Sequence, residues 1–162
     1  MNDHANDLRQ IVETAAVRLG TISESTSARR ASPGAWTAKE ILGHLIDSAA
    51  NNHQRFVRAQ FSDDLVFPGY DQEEWVKVQH CDQESWRDLV LLWQSYNLHL
   101  AHVIANIPES TLKELRAQHS LDRIAWQRVP TNVPTNLEYL VRDYMGHLQD
   151  HLKQVFAIGE LP

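Results

Sequence analysis

Two histidines one helical turn apart, His147 and His151, are the residues whose types and spacing most directly suggest chemistry. In an α-helix, side chains at i and i+4 lie on the same face, so both imidazoles point toward whatever packs against that face. Two imidazoles placed in this way can share one metal ion, because one turn brings their ring nitrogens within reach of a common point. The spacing therefore predicts a metal site whose third ligand comes from elsewhere in the chain.

The pair also has a simpler interpretation, because a chain with nine histidines contains such spacings by chance. His99 and His102 form a second close pair, but they fall outside the apolar face of their predicted helix and are expected to be solvated. His151, in contrast, lies within an apolar face, with His147 at its edge. Two core histidines satisfied by hydrogen bonds remain the alternative to a metal site.

Four stretches with helical periodicity must position these side chains. The predicted helices cover, approximately, residues 8–20, 37–56, 82–107 and 135–159. The predicted starts of the last three carry N-capping residues: Thr37 with Glu40, Asp82, and Thr135 with Glu138. The segments 23–34, 61–81 and 117–136 lack a sustained period and predict long connections, the last with a short hairpin around residues 124–129. The pattern predicts an all-α protein, a four-helix bundle with long inter-helix connections.

Composition narrows the function classes. A length of 162 residues fits one domain over residues 1–162, and a net charge of −6 argues against a general nucleic-acid binder. No stretch approaches the roughly 20 apolar residues of a membrane span, and the polar N-terminus lacks the apolar run of a signal peptide. Cys81 is the single cysteine of the sequence, which fits a reducing compartment. A cytoplasmic protein without membrane partners is expected.

The second predicted helix adds a polar stripe beside its apolar face. His44 lies at the inner margin of this stripe, where it can reach a metal ion held by another helix. Asn51 and Arg55 follow on the same side, and a planar guanidinium such as that of Arg55 suits a carboxylate of a ligand. Asp47 is predicted to project outward, toward a loop or the surface.

Several motifs, taken together, resemble those of one family. They are Trp36-Thr37, the run from His44 through Asp47 to Ser48, Asn51, Arg55-Phe56, Gly69-Tyr70-Asp71, Trp75, Tyr144, His147 and His151. In this order the chain resembles the DinB-like superfamily and, within it, the YfiT-like branch that includes bacillithiol S-transferases. The resemblance implies a four-helix bundle that binds a divalent metal ion through His44, His147 and His151. Zinc and nickel both suit imidazole ligands.

The resemblance also implies a class of activity. Members of the superfamily include metal-dependent enzymes that use a low-molecular-weight thiol as cosubstrate, so a thiol S-transferase or a hydrolase acting on a small molecule is expected. Asn51, Arg55 and Asp71 are the predicted substrate-binding residues, and a homodimer is expected from the family. The alternative function is a non-catalytic helical bundle that binds a metal or a ligand.

Overall fold

The computed structural model describes residues 3–161, which form α-helices joined by turns and loops, with isolated bridges but no β-strand among them. Four helices are long: α1 (Asp3–Gly20), α3 (Ala38–Arg58), α5 (Trp86–Ala105) and α8 (Leu137–Gly159). Four are short: α2 (Glu24–Ser27), α4 (Gln72–Val78), α6 (Glu109–Lys113) and α7 (Leu121–Ile124). The predicted all-α four-helix bundle is confirmed. Within residues 3–161, no helix is both long and apolar enough to cross a membrane.

The four long helices surround one apolar core. Helix α1 packs against α5 and α8, and α3 also packs against α5 and α8, so the order around the bundle is α1, α5, α3, α8. Fully buried leucines from each helix meet in this core: Leu8, Leu42, Leu100 and Leu148. Because α3 and α8 are neighbours, the histidines that the sequence places on these two helices face each other.

The start of α3 has the predicted capping box. The Thr37 hydroxyl accepts a hydrogen bond from the Glu40 amide at 3.1 Å, and the Thr37 amide donates to the Glu40 carboxylate at 2.7 Å. Arg30 donates to the same carboxylate at 2.9 Å. These bonds satisfy backbone amides that a helix start leaves free, and they fix where α3 begins. Because each helical residue is rotated by a constant angle from the previous one, the start of α3 determines the direction in which the His44 side chain points.

Two other predicted helix starts are wrong by a few residues. Helix α5 begins after Ser85, whose hydroxyl accepts from the backbone of the first turn, and Asp82 lies in a preceding 3-10 turn, Cys81–Gln83. Helix α8 is capped by Asn136, whose side chain accepts from the Tyr139 amide at 2.9 Å. Thr135 instead pairs through its backbone with Arg116. Asparagine and serine cap as well as aspartate and threonine do, so tertiary contacts decided between neighbouring candidates.

The connections contain more structure than the sequence predicted. Helix α2 lies in the predicted loop 23–34, and α4 lies in the predicted connection 61–81. The hairpin expected around residues 124–129 is absent from the described chain, where α7 is followed by a segment that bends at Trp126 and Gln127. The amides of Trp126 and Gln127 in this segment donate to the Asp143 carboxylate on α8 instead of to a second strand. Because the carboxylate accepts hydrogen bonds from these backbone amides, the amides need no partner strand.

One close contact in α3 gives a stability prediction. A Cβ atom on Gly43 would lie 2.5 Å from the Cys81 sulfur and 2.8 Å from the Cys81 Cβ. We expect Gly43→Ala to lower the free energy of unfolding by about 1–3 kcal/mol, because overpacking forces the connection off α3. Gly20→Ala is the control, since no atom lies within 4 Å of its added Cβ. Urea unfolding measures both variants, and equal stability of Gly43→Ala and wild type would contradict the prediction.

Candidate metal centre

Three histidines from two helices converge beside the bundle core. His44 comes from α3, and His147 and His151 come from α8. One ring nitrogen of each lies within 4.8 Å of the other two, and the Nε2 atoms of His44 and His147 are 3.1 Å apart. The three ring centroids are separated by 4.5 to 5.1 Å. The structure therefore brings together the three residues that the sequence predicted as metal ligands.

Burial keeps these imidazoles neutral. The His44 side chain is 1% exposed, and burial lowers the pKa of His44 to about 3, with further lowering by His147 and His151. Burial likewise lowers the pKa of His147 to about 4, and it lowers the pKa of His151 against the opposing effect of Asp150. A neutral imidazole keeps a lone pair on one ring nitrogen, which is the form that binds a metal ion.

The hydrogen bonding of the cluster fits a metal ion. The Nδ1 atoms of His44 and His151 are buried and have no hydrogen-bond partner among residues 3–161. The Nδ1 atom of His147 lies 3.5 Å from the Ser48 hydroxyl, which can fix the orientation of that ring. Buried polar atoms without partners are costly, and neutral imidazole nitrogens are good donors to divalent zinc and nickel. The residues present thus suit a divalent ion held by three nitrogens.

A cavity of about 230 Å³ adjoins the histidine cluster. His44 and His147 form part of its wall, together with polar residues from α3, α8 and two connections: Ser48, Asn52, Arg55, Tyr70, Arg123 and Asp143. Two indole rings flank the cluster, with Trp36 at 5.3 Å from His44 and Trp126 at 6.4 Å from His147, measured between ring centroids. The cluster is therefore shielded by aromatic rings but open to a space of small-molecule size.

The predicted substrate-binding residues are only partly brought together. Arg55 lines the cavity, whereas Asn51 does not and instead donates its side-chain amide to the Asp47 carbonyl at 2.9 Å. Asp71 also lies outside the cavity wall, where its carboxylate caps α4 by accepting from the Glu74 amide at 3.1 Å. Asn52 takes the place predicted for Asn51. One residue corresponds to a rotation of about 100° on a helix, which moves the side chain to another face.

Asp47 contacts the connection 61–81, as the predicted loop contact requires, but it is buried and does not project outward. It is 3% exposed, and both of its carboxylate oxygens accept from the Gln79 amide, at 2.9 and 3.1 Å. Burial raises the pKa of Asp47, and the Gln79 hydrogen bonds oppose that rise. The end of α4 covers this face of α3, which an amphipathic pattern on α3 alone cannot reveal.

Asp143 is a cavity residue that the sequence did not predict. Its carboxylate accepts from the amides of Trp126 at 2.8 Å and Gln127 at 2.7 Å, so it anchors the cavity wall that carries Trp126. The sequence feature that could have indicated Asp143 is its position one turn before His147 on the same face of the helix. His99 and His102, in contrast, are exposed on α5 as predicted and take no part in the cluster.

Comparison with known proteins identifies the family. The sequence profile of the DinB superfamily matches residues 7–155, which include all three histidines. The chain belongs to the DinB superfamily. A search of curated proteins gave no significant match.

One solved structure supports the same fold for this DinB-superfamily chain. YfiT from Bacillus subtilis is similar with a TM-score of 0.75 and 16% sequence identity, over 98% of this chain and 87% of that chain. YfiT is described as a probable metal-dependent hydrolase with an unusual four-helix bundle topology. At this identity, the similarity establishes the shared bundle fold. The predicted resemblance to DinB-like proteins is confirmed.

Proposed function

We propose that this DinB-superfamily protein is a divalent-metal-dependent enzyme acting on a small molecule, as a hydrolase or as a low-molecular-weight thiol S-transferase. The observation that carries the proposal is the convergence of His44, His147 and His151 beside a cavity whose wall includes His44 and His147. Three protein ligands leave a coordination position open, as in catalytic rather than structural zinc sites. The description of YfiT as a probable metal-dependent hydrolase supports the same class.

Several residues at the cavity would have defined roles in such a reaction. His44, His147 and His151 would hold zinc or nickel through neutral ring nitrogens. A bound divalent ion supplies Lewis acidity, which lowers the pKa of a water molecule or a thiol that binds to it. The Ser48 hydroxyl near His147 holds that ring in place, and the neighbouring indoles limit the access of bulk water.

The size of the cavity supports a small substrate. A space of about 230 Å³ is smaller than typical ligand pockets, which measure about 300–1,000 Å³. Its polar wall, with Asn52, Tyr70 and Asp143, offers hydrogen-bond partners for orientation. These features favour a metabolite over a macromolecule.

An assay of the metal-loaded protein tests the proposal. Protein loaded with zinc or nickel is incubated with a panel of activated esters and amides, and separately with small thiols and the electrophile monochlorobimane. We expect turnover in one of the two assays, and we expect it to be lost in His147→Ala and retained in His102→Ala, whose side chain is exposed on α5. Activity with water alone supports the hydrolase, and activity that requires a thiol supports the transferase. Silence in both assays with fully loaded protein would favour a non-catalytic metal-binding bundle.

A further inference from the structure

The cavity beside the histidine cluster contains a buried guanidinium with only neutral hydrogen-bond partners. Arg55 is 6% exposed, and it lines the cavity. Its terminal nitrogens donate to the side-chain oxygen of Asn52 and to the carbonyl of Pro68, both at 3.3 Å. Within residues 3–161, no carboxylate forms an ion pair with Arg55. Two long bonds to neutral oxygens leave most of its donor capacity unused.

A buried guanidinium without a counter-charge destabilises the folded protein. Burial lowers the pKa of the Arg55 guanidinium, and the negative charge of Asp143 opposes that effect without a close contact. Asp143 is not a close partner, because its carboxylate forms no ion pair with Arg55 and instead accepts from the amides of Trp126 and Gln127. Charged groups are seldom buried unless a counter-charge meets them. The counter-charge for Arg55 is therefore expected in the cavity itself.

We propose that Arg55 binds a carboxylate group of the substrate, so that the substrate is an elongated, monoanionic small molecule; this deepens the proposed function and rests on it. The planar fork of a guanidinium matches the two oxygens of a carboxylate. The cavity wall contains two arginines, but Arg123 is largely exposed and lies 3.8 Å from Asp122, so Arg55 provides the buried positive charge. The nearby Asp143 carboxylate disfavours a doubly charged phosphate at this position. The chemistry at this end of the cavity therefore selects a carboxylate.

The elongated shape follows from the position of Arg55 on α3. Arg55 lies three turns after His44, so their Cα atoms are about 16 Å apart along the helix axis. A helical arginine side chain extends back toward the helix N-terminus, which shortens the gap to the metal ligands to roughly 10 Å. Ser48 and Asn52 line the cavity between these two ends. A substrate that reaches both must carry its carboxylate several bonds away from the reacting group.

Carboxylate binding can be measured without metal, which separates this inference from the proposed function. Metal-free, desalted protein is titrated with straight-chain carboxylates from acetate to octanoate and with the matching neutral amides, using calorimetry or ligand-observed NMR. We expect the best carboxylate to have four or more carbons and to bind on the order of tenfold more tightly than its amide. We expect Arg55→Gln to remove this preference.

Arg58 provides a matched control one turn further along α3. It is exposed, lies outside the cavity wall and donates to Gln54 at 3.1 Å, so Arg58→Gln should keep the full preference. Arg55→Lys retains the charge without the fork and should show an intermediate preference. If Arg55→Gln fails to fold, as judged by circular dichroism, the lysine variant decides the question.

The inference is overturned if the wild type binds carboxylates no better than amides, including the case in which it binds neither. It is also overturned if Arg55→Gln, still folded, keeps the preference, or if the preference is greatest for acetate. A chain that binds carboxylates through Arg55 but takes up no metal would support this inference while removing the proposed function. A chain that binds metal and catalyses turnover without carboxylate preference would support the proposed function and overturn this inference.

Discussion

Replacing His44, His147 or His151 by alanine is expected to abolish most of the thermal stabilisation that zinc or nickel gives to the wild-type protein. A ligand that binds the native state, present at a thousand times its dissociation constant, stabilises by about 4 kcal/mol. For a protein of this size, that corresponds to a rise in melting temperature of roughly 10 °C. Loss of one imidazole should weaken the binding of metal roughly 100-fold and remove more than half of the rise.

The measurement is the melting temperature of each protein with EDTA and with added metal, taken as a difference. The difference matters because an alanine at a buried position also lowers the stability of the metal-free protein through lost packing. His102→Ala is the control, since His102 is exposed on α5 and outside the cluster. A wild type with no metal-dependent rise, or a full rise in all three cluster variants, would refute the assignment of these ligands.

Helix periodicity predicted two of the three candidate ligands, and the family resemblance supplied the third. His147 and His151 lie on one helix, so their spacing alone places both imidazoles on a common face. His44 lies far away in the chain, and helix periodicity could place it only at an inner margin, without showing which helix it faces. The family resemblance implied that the helix carrying His44 faces the helix carrying His147 and His151. The structure shows that α3 and α8 do pack against each other.

The features that the sequence analysis missed depend on the connections between the helices. Asp47 is buried because α4 covers it, and Asn52 rather than Asn51 lines the cavity because one residue changes the helix face. Asp143 is part of the site because the bend after α7 donates the amides of Trp126 and Gln127 to it. Such contacts join residues distant in sequence and leave no periodic pattern, so they are visible only once the chain is folded.

Stability of the metal-free protein is expected to fall as the pH is lowered from about 7 toward 4. Burial lowers the pKa of His44 to about 3 and that of His147 to about 4 in the folded protein. In the unfolded chain both should titrate near the ordinary value of about 6.5. Between these values the unfolded state binds more protons, so acid favours unfolding. Each such histidine adds a slope of about 1.4 kcal/mol per pH unit to the free energy of unfolding.

Urea unfolding of metal-free wild type and His44→Gln at about pH 7, pH 6 and pH 5 isolates this contribution. The carboxylates of the chain contribute equally to both proteins, so the difference between the two slopes reports His44 and its coupling to His147 and His151. We expect a shallower pH dependence for His44→Gln, because a neutral amide cannot take up a proton on unfolding. Parallel pH profiles for the two proteins would mean that burial does not lower the pKa of His44, which would contradict the prediction.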